Sequence, residues 1–151
     1  MLGGDRIPGS QAAMSVAVER HPRRALHPFH AAMLAGAWPL FLGALLCDHA
    51  YYRHHDIQWS NFASWLLVGA MVVLSVALLC AVVDFFRGEG RLPYLLVLVV
   101  TWVVGFFDAL HHGRDAWAIM PTALLLSVVA TLLALVATWI GLSSLRAGGV
   151  R

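Results

Sequence analysis

Four long apolar runs alternate with short polar stretches along this chain. They are Phe29–Cys47, Phe62–Val83, Leu92–Leu110 and Trp117–Leu142. Each has roughly the 17–25 residues that carry a helix across a bilayer. His30 and the terminal Cys47 are the only ionisable groups of the first run; the second and fourth have no charge, and the third has one acid, Asp108, in its last turn. None shows the strict alternation of a barrel strand. The pattern predicts an all-α integral membrane bundle of four transmembrane helices, at about 29–47, 62–83, 92–110 and 117–142. Short loops make consecutive helices antiparallel neighbours. Residues 27–145 form this membrane domain, between a polar tail at 1–26 and a short tail at 146–151.

The run ends carry helix punctuation. Pro28 suits a first helical position with His27 before it, and Pro93 can open the third helix. Ser60 or Asn61 can cap the second helix and Asp115 the fourth. Pro39 should kink the first helix, and Pro121 leaves two starts open for the fourth. Ala32, Gly36 and Gly43 form a small-residue face on the first helix, which admits a close helix neighbour.

Composition agrees with the pattern. The 151 residues are 60% hydrophobic and 12% charged, against about 45–50% and about 25% in soluble domains. The positive charge comes from ten arginines, with no lysine. No basic stripe joins an aromatic platform, which excludes a nucleic-acid partner and leaves the lipid bilayer. Cys47 and Cys80 fall at opposite ends of an antiparallel hairpin, too far apart for a disulfide. The first 26 residues lack the apolar core of a signal peptide, and Arg23–Arg24 precedes no small-residue cleavage site, so an uncleaved start is expected. Leu2 excludes N-myristoylation.

Arginine placement predicts orientation. Arg6, Arg20, Arg23, Arg24, Arg87, Arg91, Arg146 and Arg151 fall on one side, and only Arg53 and Arg114 on the other. Both termini are then cytoplasmic, in a multi-pass protein of the bacterial inner membrane. Tyr51, Tyr52, Trp59, Trp65 and Trp117 gather on the outer side, as an aromatic belt does.

Two polar sets are candidates for chemistry. The outer face has Asp48, Asp108, His112, Arg114 and Asp115, with His49, His54, His55 and His111 nearby. Histidines at matched depth on two helices can ligate haem iron or a transition metal, and His49 with His112 is such a pair. Asp108, four residues before His112, can orient its ring. The bland reading is a solvated interfacial loop. The inner face has His27, His30, Asp84 and Arg87. There a His–Asp hydrogen bond could serve quinone binding or proton handling, and the bland alternative is bundle closure. The Ser and Thr hydroxyls of the spans can bond within their own helices. "HHDIQW" and "HHGRDAW" echo one another, but six residues are little ground for a duplicated hairpin.

From "LHPFHAAMLAGAWPLFLGALLCD" onward, over Leu26–Leu145, the chain resembles a bacterial membrane family known only as domain-of-unknown-function family 2231. The likeness rests on His27–Pro28, Asp48, "QWSNFASWL", "DFFR" and "HGRDAW…MP". The family pattern favours histidine at His27 and His112 and does not call for it at His49, His54, His55 or His111. The resemblance implies no catalytic activity and, through relatives joined to iron–sulfur or sugar-dehydrogenase modules, a redox setting. The expectation is a non-enzymatic membrane anchor or assembly subunit for a membrane or redox partner, with no cofactor. The rival is an electron-transfer subunit carrying haem b or a transition metal on the outer histidines.

Overall fold

The computed structural model describes residues 27–88, 90–114 and 118–148, with side chains to residue 143. The tail at 1–26, the Asp115 cap and Trp117 lie outside the described residues. Four helices follow in order: α1 (Pro28–His54), α2 (Ile57–Phe86), α3 (Leu92–His112) and α4 (Thr122–Gly148). All four are long and apolar enough to cross a membrane, so the chain is an all-α, multi-pass membrane bundle. Each helix packs against two others in a ring: α1 on α2, α2 on α3, α3 on α4, and α4 back on α1.

The buried positions show why these helices associate. They fall at 30, 34, 37, 41, 44, 47, 48 and 51 on α1, at 60, 63, 67, 70, 74, 77 and 81 on α2, and at 94, 98, 101, 105, 108 and 112 on α3. Steps of three and four alternate along α2 and α3, and along α1 and α4 apart from the adjacent buried pairs Cys47–Asp48 and Ala130–Thr131. A 3.5-residue repeat keeps one seam facing its neighbours along the full length, as in left-handed coiled coils. Alanine and glycine are frequent on these seams, which lets the backbones come close. Ala63, Ala70, Ala77, Ala130 and Ala137 are completely or almost completely enclosed. Leucine and valine dominate the outer faces, including Val72, Leu79 and Leu132, where lipid tails replace a protein neighbour.

Lipid is as apolar as leucine, so burial of apolar surface drives association weakly here; packing and hydrogen bonds count for more. Two threonines seven residues apart stitch α4 to α1. Thr131 Oγ1 lies between the Ser127 carbonyl of its own helix at 2.7 Å and the Phe41 carbonyl at 3.2 Å, and Thr138 Oγ1 donates to the Leu34 carbonyl at 3.3 Å. Trp102 Nε1 donates to Ser75 Oγ at 2.9 Å, joining α3 to α2. The expectation that these hydroxyls can bond inside their own helices is met by Ser75, Thr101 and Thr131, whereas Thr138 reaches across to α1. A lone hydroxyl in a span satisfies its own helix by default; a small-residue seam brings foreign carbonyls within reach.

Helix ends differ from the hydropathy boundaries. α1 continues through the polar stretch to His54, and α2 starts at Ile57, so "CDHAYYRHHDIQW" is mostly helix. His55, with φ 56°, and Asp56 make the whole connection. Asp56, in place of Ser60 or Asn61, caps α2 by accepting from the Gln58 N–H at 3.1 Å. Hydropathy marks where lipid stops, whereas a helix ends where capping groups satisfy its backbone. α4 starts at Thr122, after Pro121, not at 117. Gly36 and Gly43 of the small-residue face lie against Val73 and Leu66 of α2. Tyr51 leaves the expected aromatic belt: it is buried and packs with Ile119 and Ala123. Tyr52, Trp59 and Trp65 stay exposed.

Candidate functional site

The heptad seam carries polar side chains at both ends of the bundle. His30 and Asp48 are eighteen residues apart on α1, and Tyr94 and His112 eighteen apart on α3. Eighteen helical residues span about 27 Å, close to the roughly 30 Å of hydrocarbon. The two clusters therefore mark the two membrane faces.

At one end, Asp48 of α1, Asp108 and His112 of α3 and Ser127 of α4 converge. Each is on a core position, and both aspartates are fully enclosed. His112 Nε2 lies 2.8 Å from Asp48 Oδ1. Its Nδ1 donates to the Asp108 carbonyl at 3.0 Å and is 3.3 Å from Asp108 Oδ1. Ser127 Oγ lies 3.0 Å from Asp108 Oδ2 and also meets Asp48 Oδ2. A hydroxyl has one hydrogen, so it donates to one carboxylate at a time. Asp108 Oδ1 has no hydrogen bond although it is buried. One ligand atom each from Asp48, Asp108 and His112 fall within 4.8 Å of one another.

The charge balance is uneven. Two carboxylates face one imidazole in a water-poor seam, where an isolated ionised carboxylate is costly. The described residues supply no arginine inside the cluster; Arg114 is exposed. Arg114 does line a groove of about 470 Å³ between α2 and the end of α3, with Gln58, Ser60, Asn61, Ser64 and His112. Polar groups thus lead from solvent to His112.

The outer set predicted from sequence is sorted by this geometry. Asp48, Asp108 and His112 come together, Arg114 stands at the groove, and Asp115 is outside the described residues. The expected pairing of His49 with His112 around a haem or metal is not formed. His49 follows Asp48 on α1 and is exposed, because one step along a helix turns the side chain about 100° away from the direction of Asp48. His54 and His55 are exposed too, and His111 Nε2 donates to the Ile119 carbonyl at 3.2 Å. Ser127 was not singled out as a site residue. Its signal was its place four residues before Ala130–Thr131 on the small-residue face of α4, on the side that meets both acids.

At the other end, His30 is buried with Nε2 3.0 Å from Tyr94 Oη and Nδ1 3.5 Å from Asp84 Oδ2. Asp84 is partly open at 34%. Of the inner set, His30 and Asp84 are brought together. His27 is exposed, accepting from the Phe29 N–H at 3.3 Å, and Arg87 is an exposed helix end. The partner missed from sequence is Tyr94, which follows the helix-opening Pro93. Tyr94→Phe removes one buried hydrogen bond and is expected to cost about 1 kcal/mol, read as a lower midpoint in detergent unfolding while the helical circular dichroism is unchanged.

No family model, no curated protein and no solved structure matches this chain.

Proposed function

We propose that this protein is a non-enzymatic membrane subunit that binds a divalent cation at the Asp48–Asp108–His112 centre. The observation that carries the reading is the excess of two enclosed carboxylates over one imidazole, with ligand atoms within 4.8 Å. Both carboxylates with a neutral imidazole carry two negative charges, which one divalent ion cancels. The groove beside His112 supplies a polar route from water. Haem fits the geometry less well, because among the described residues no second buried histidine stands at this end. The small-residue face of α1, which an anchoring role could use for a partner, is partly occupied by α2. In the orientation that the arginines favour, the centre opens on the outer face of a bacterial inner membrane.

Thermal unfolding of the chelator-treated protein in detergent tests this. A ligand at a hundred times its dissociation constant stabilises by about 2.7 kcal/mol, so a saturating divalent cation should raise the midpoint by about 5–10 °C. Asp108→Asn should show no such rise. Absence of any rise across magnesium, calcium, manganese and zinc in the folded wild-type protein would reject the reading.

A further inference from the structure

We infer that the ion is a borderline transition metal of the zinc class, coordinated by His112 Nε2 and one oxygen each of Asp48 and Asp108. This rests on the cation-binding reading above and goes further by naming the ligand atoms and the ion class.

The tautomer of His112 is the first observation. A backbone carbonyl only accepts, so the Nδ1 that sits 3.0 Å from the Asp108 carbonyl carries a hydrogen. Nε2 then faces Asp48 Oδ1 at 2.8 Å. Two lone pairs cannot meet at that distance, so a proton, carried by Nε2 or by Asp48, or else a metal ion lies between them. Metal-bound histidines characteristically donate the other ring N–H to a carbonyl or carboxylate, which fixes the ring and raises its basicity. His112 already does so, and with a group of the neighbouring turn of its own helix.

The second observation is on the Asp108 carboxylate. Asp108 Oδ1 is enclosed in the seam, without a hydrogen bond, on the carboxylate whose other oxygen meets Ser127. The nearest donor, the Nδ1–H of His112 at 3.3 Å, is directed to the Asp108 carbonyl, so a lone pair of Oδ1 stays open to a ligand. Ser127 Oγ touches both carboxylates, so it can hold their outer oxygens while the inner ones turn to the metal.

Ligand chemistry then selects the ion. One imidazole nitrogen with two carboxylate oxygens suits zinc, and also manganese or ferrous iron, better than calcium. Calcium takes six to eight oxygens, and magnesium keeps an octahedral shell of oxygen and water. Three protein ligands are the usual number where zinc keeps one open position. The groove over His112 points to water as the fourth ligand. Metal–ligand bonds of about 2.0–2.2 Å require ligand atoms roughly 3.3 Å apart, so Nε2 and Asp48 Oδ1 separate by about half an ångström on loading.

Zinc titration of the chelator-treated, detergent-solubilised full chain tests the inference, followed by calorimetry and, with cobalt(II) in place of zinc, by visible absorption. One zinc ion per chain is expected. Affinity should be unchanged when His49, His54 and His55 are together replaced by alanine, and should fall at least tenfold in Asp108→Asn. His112→Ala should abolish binding; because that variant can fail to fold, Asp108→Asn decides. Magnesium or calcium binding as tightly as zinc would leave a cation centre and overturn the metal assignment. Zinc binding that survives Asp108→Asn but is lost with the three exposed histidines would overturn it as well. A folded wild-type protein that binds no divalent ion would overturn both this inference and the cation-binding reading.

Discussion

His112→Ala in the metal-free protein is expected to lower the unfolding free energy by about 3–5 kcal/mol, the range for breaking a buried ion pair by removing one partner. The imidazole is the only basic group among the described residues of this cluster, and its loss leaves the enclosed Asp48 and Asp108 facing one another. Removing an acid has a different sign of electrostatic effect. Asp108→Asn converts two carboxylates and one imidazole into a balanced pair, and loses little hydrogen bonding, since Oδ1 has none. It should therefore unfold at or above the wild-type midpoint. Asp48→Asn also relieves the charge excess but weakens the 2.8 Å bond to His112, so it should fall between the other two. Chemical denaturation in mixed micelles reads all three. If His112→Ala matched Asp108→Asn in stability, the uneven charge would not be a feature of the native cluster. Combining His112→Ala with both Asp→Asn changes should recover most of the loss, because no buried charge then remains.

Phe41→Ala has the second largest expected effect, about 2–3 kcal/mol. Phe41 is the largest fully enclosed side chain among the described residues. It lies where α3 presents a glycine: a Cβ built on Gly105 would come within 2.9 Å of the Phe41 ring and 2.8 Å of the Met71 sulfur. The aromatic ring thus fills the gap that the glycine leaves. In water Phe→Ala costs about 3–5 kcal/mol, as lost transfer energy plus a cavity term. In a bilayer the transfer part largely vanishes, because the unfolded helix already rests in hydrocarbon. What remains is the cavity and its lost dispersion contacts. Steric-trap or denaturant unfolding in micelles measures it. A loss under about 0.5 kcal/mol would mean that the helices close over the gap. Gly105→Ala should be destabilising in the wild-type background and less so, or not at all, beside Phe41→Leu.

Several features needed no tertiary structure. Four spans, their antiparallel order and the absence of strands all follow from run length and hydropathy, since a backbone in lipid must satisfy its own hydrogen bonds. Asp108 and His112 were legible as a unit, because four residues on a helix make one face. Asp48 was legible as the acid at the helix exit. The histidines around it obscured its partner: five of them stand near the outer loops, and composition does not distinguish the one that faces inward.

That distinction belongs to the heptad register. Asp48, His112 and Ser127 are separated by 64 and 79 positions in sequence from the partners they meet, and no local pattern ties them. The same register turns His49 outward, draws Tyr51 out of the interfacial belt, and places Tyr94 against His30. It also explains why the predicted boundaries were short. Lipid solvation, which hydropathy measures, ends near Cys47, but backbone hydrogen bonding continues to His54 until His55 and Asp56 break it. The sequence by itself determined that this chain crosses a membrane four times and which polar residues sit near its faces. Only the packing of four seams decided which of them share a buried centre, because an ionisable side chain acquires its partner from the neighbouring helix and not from its own.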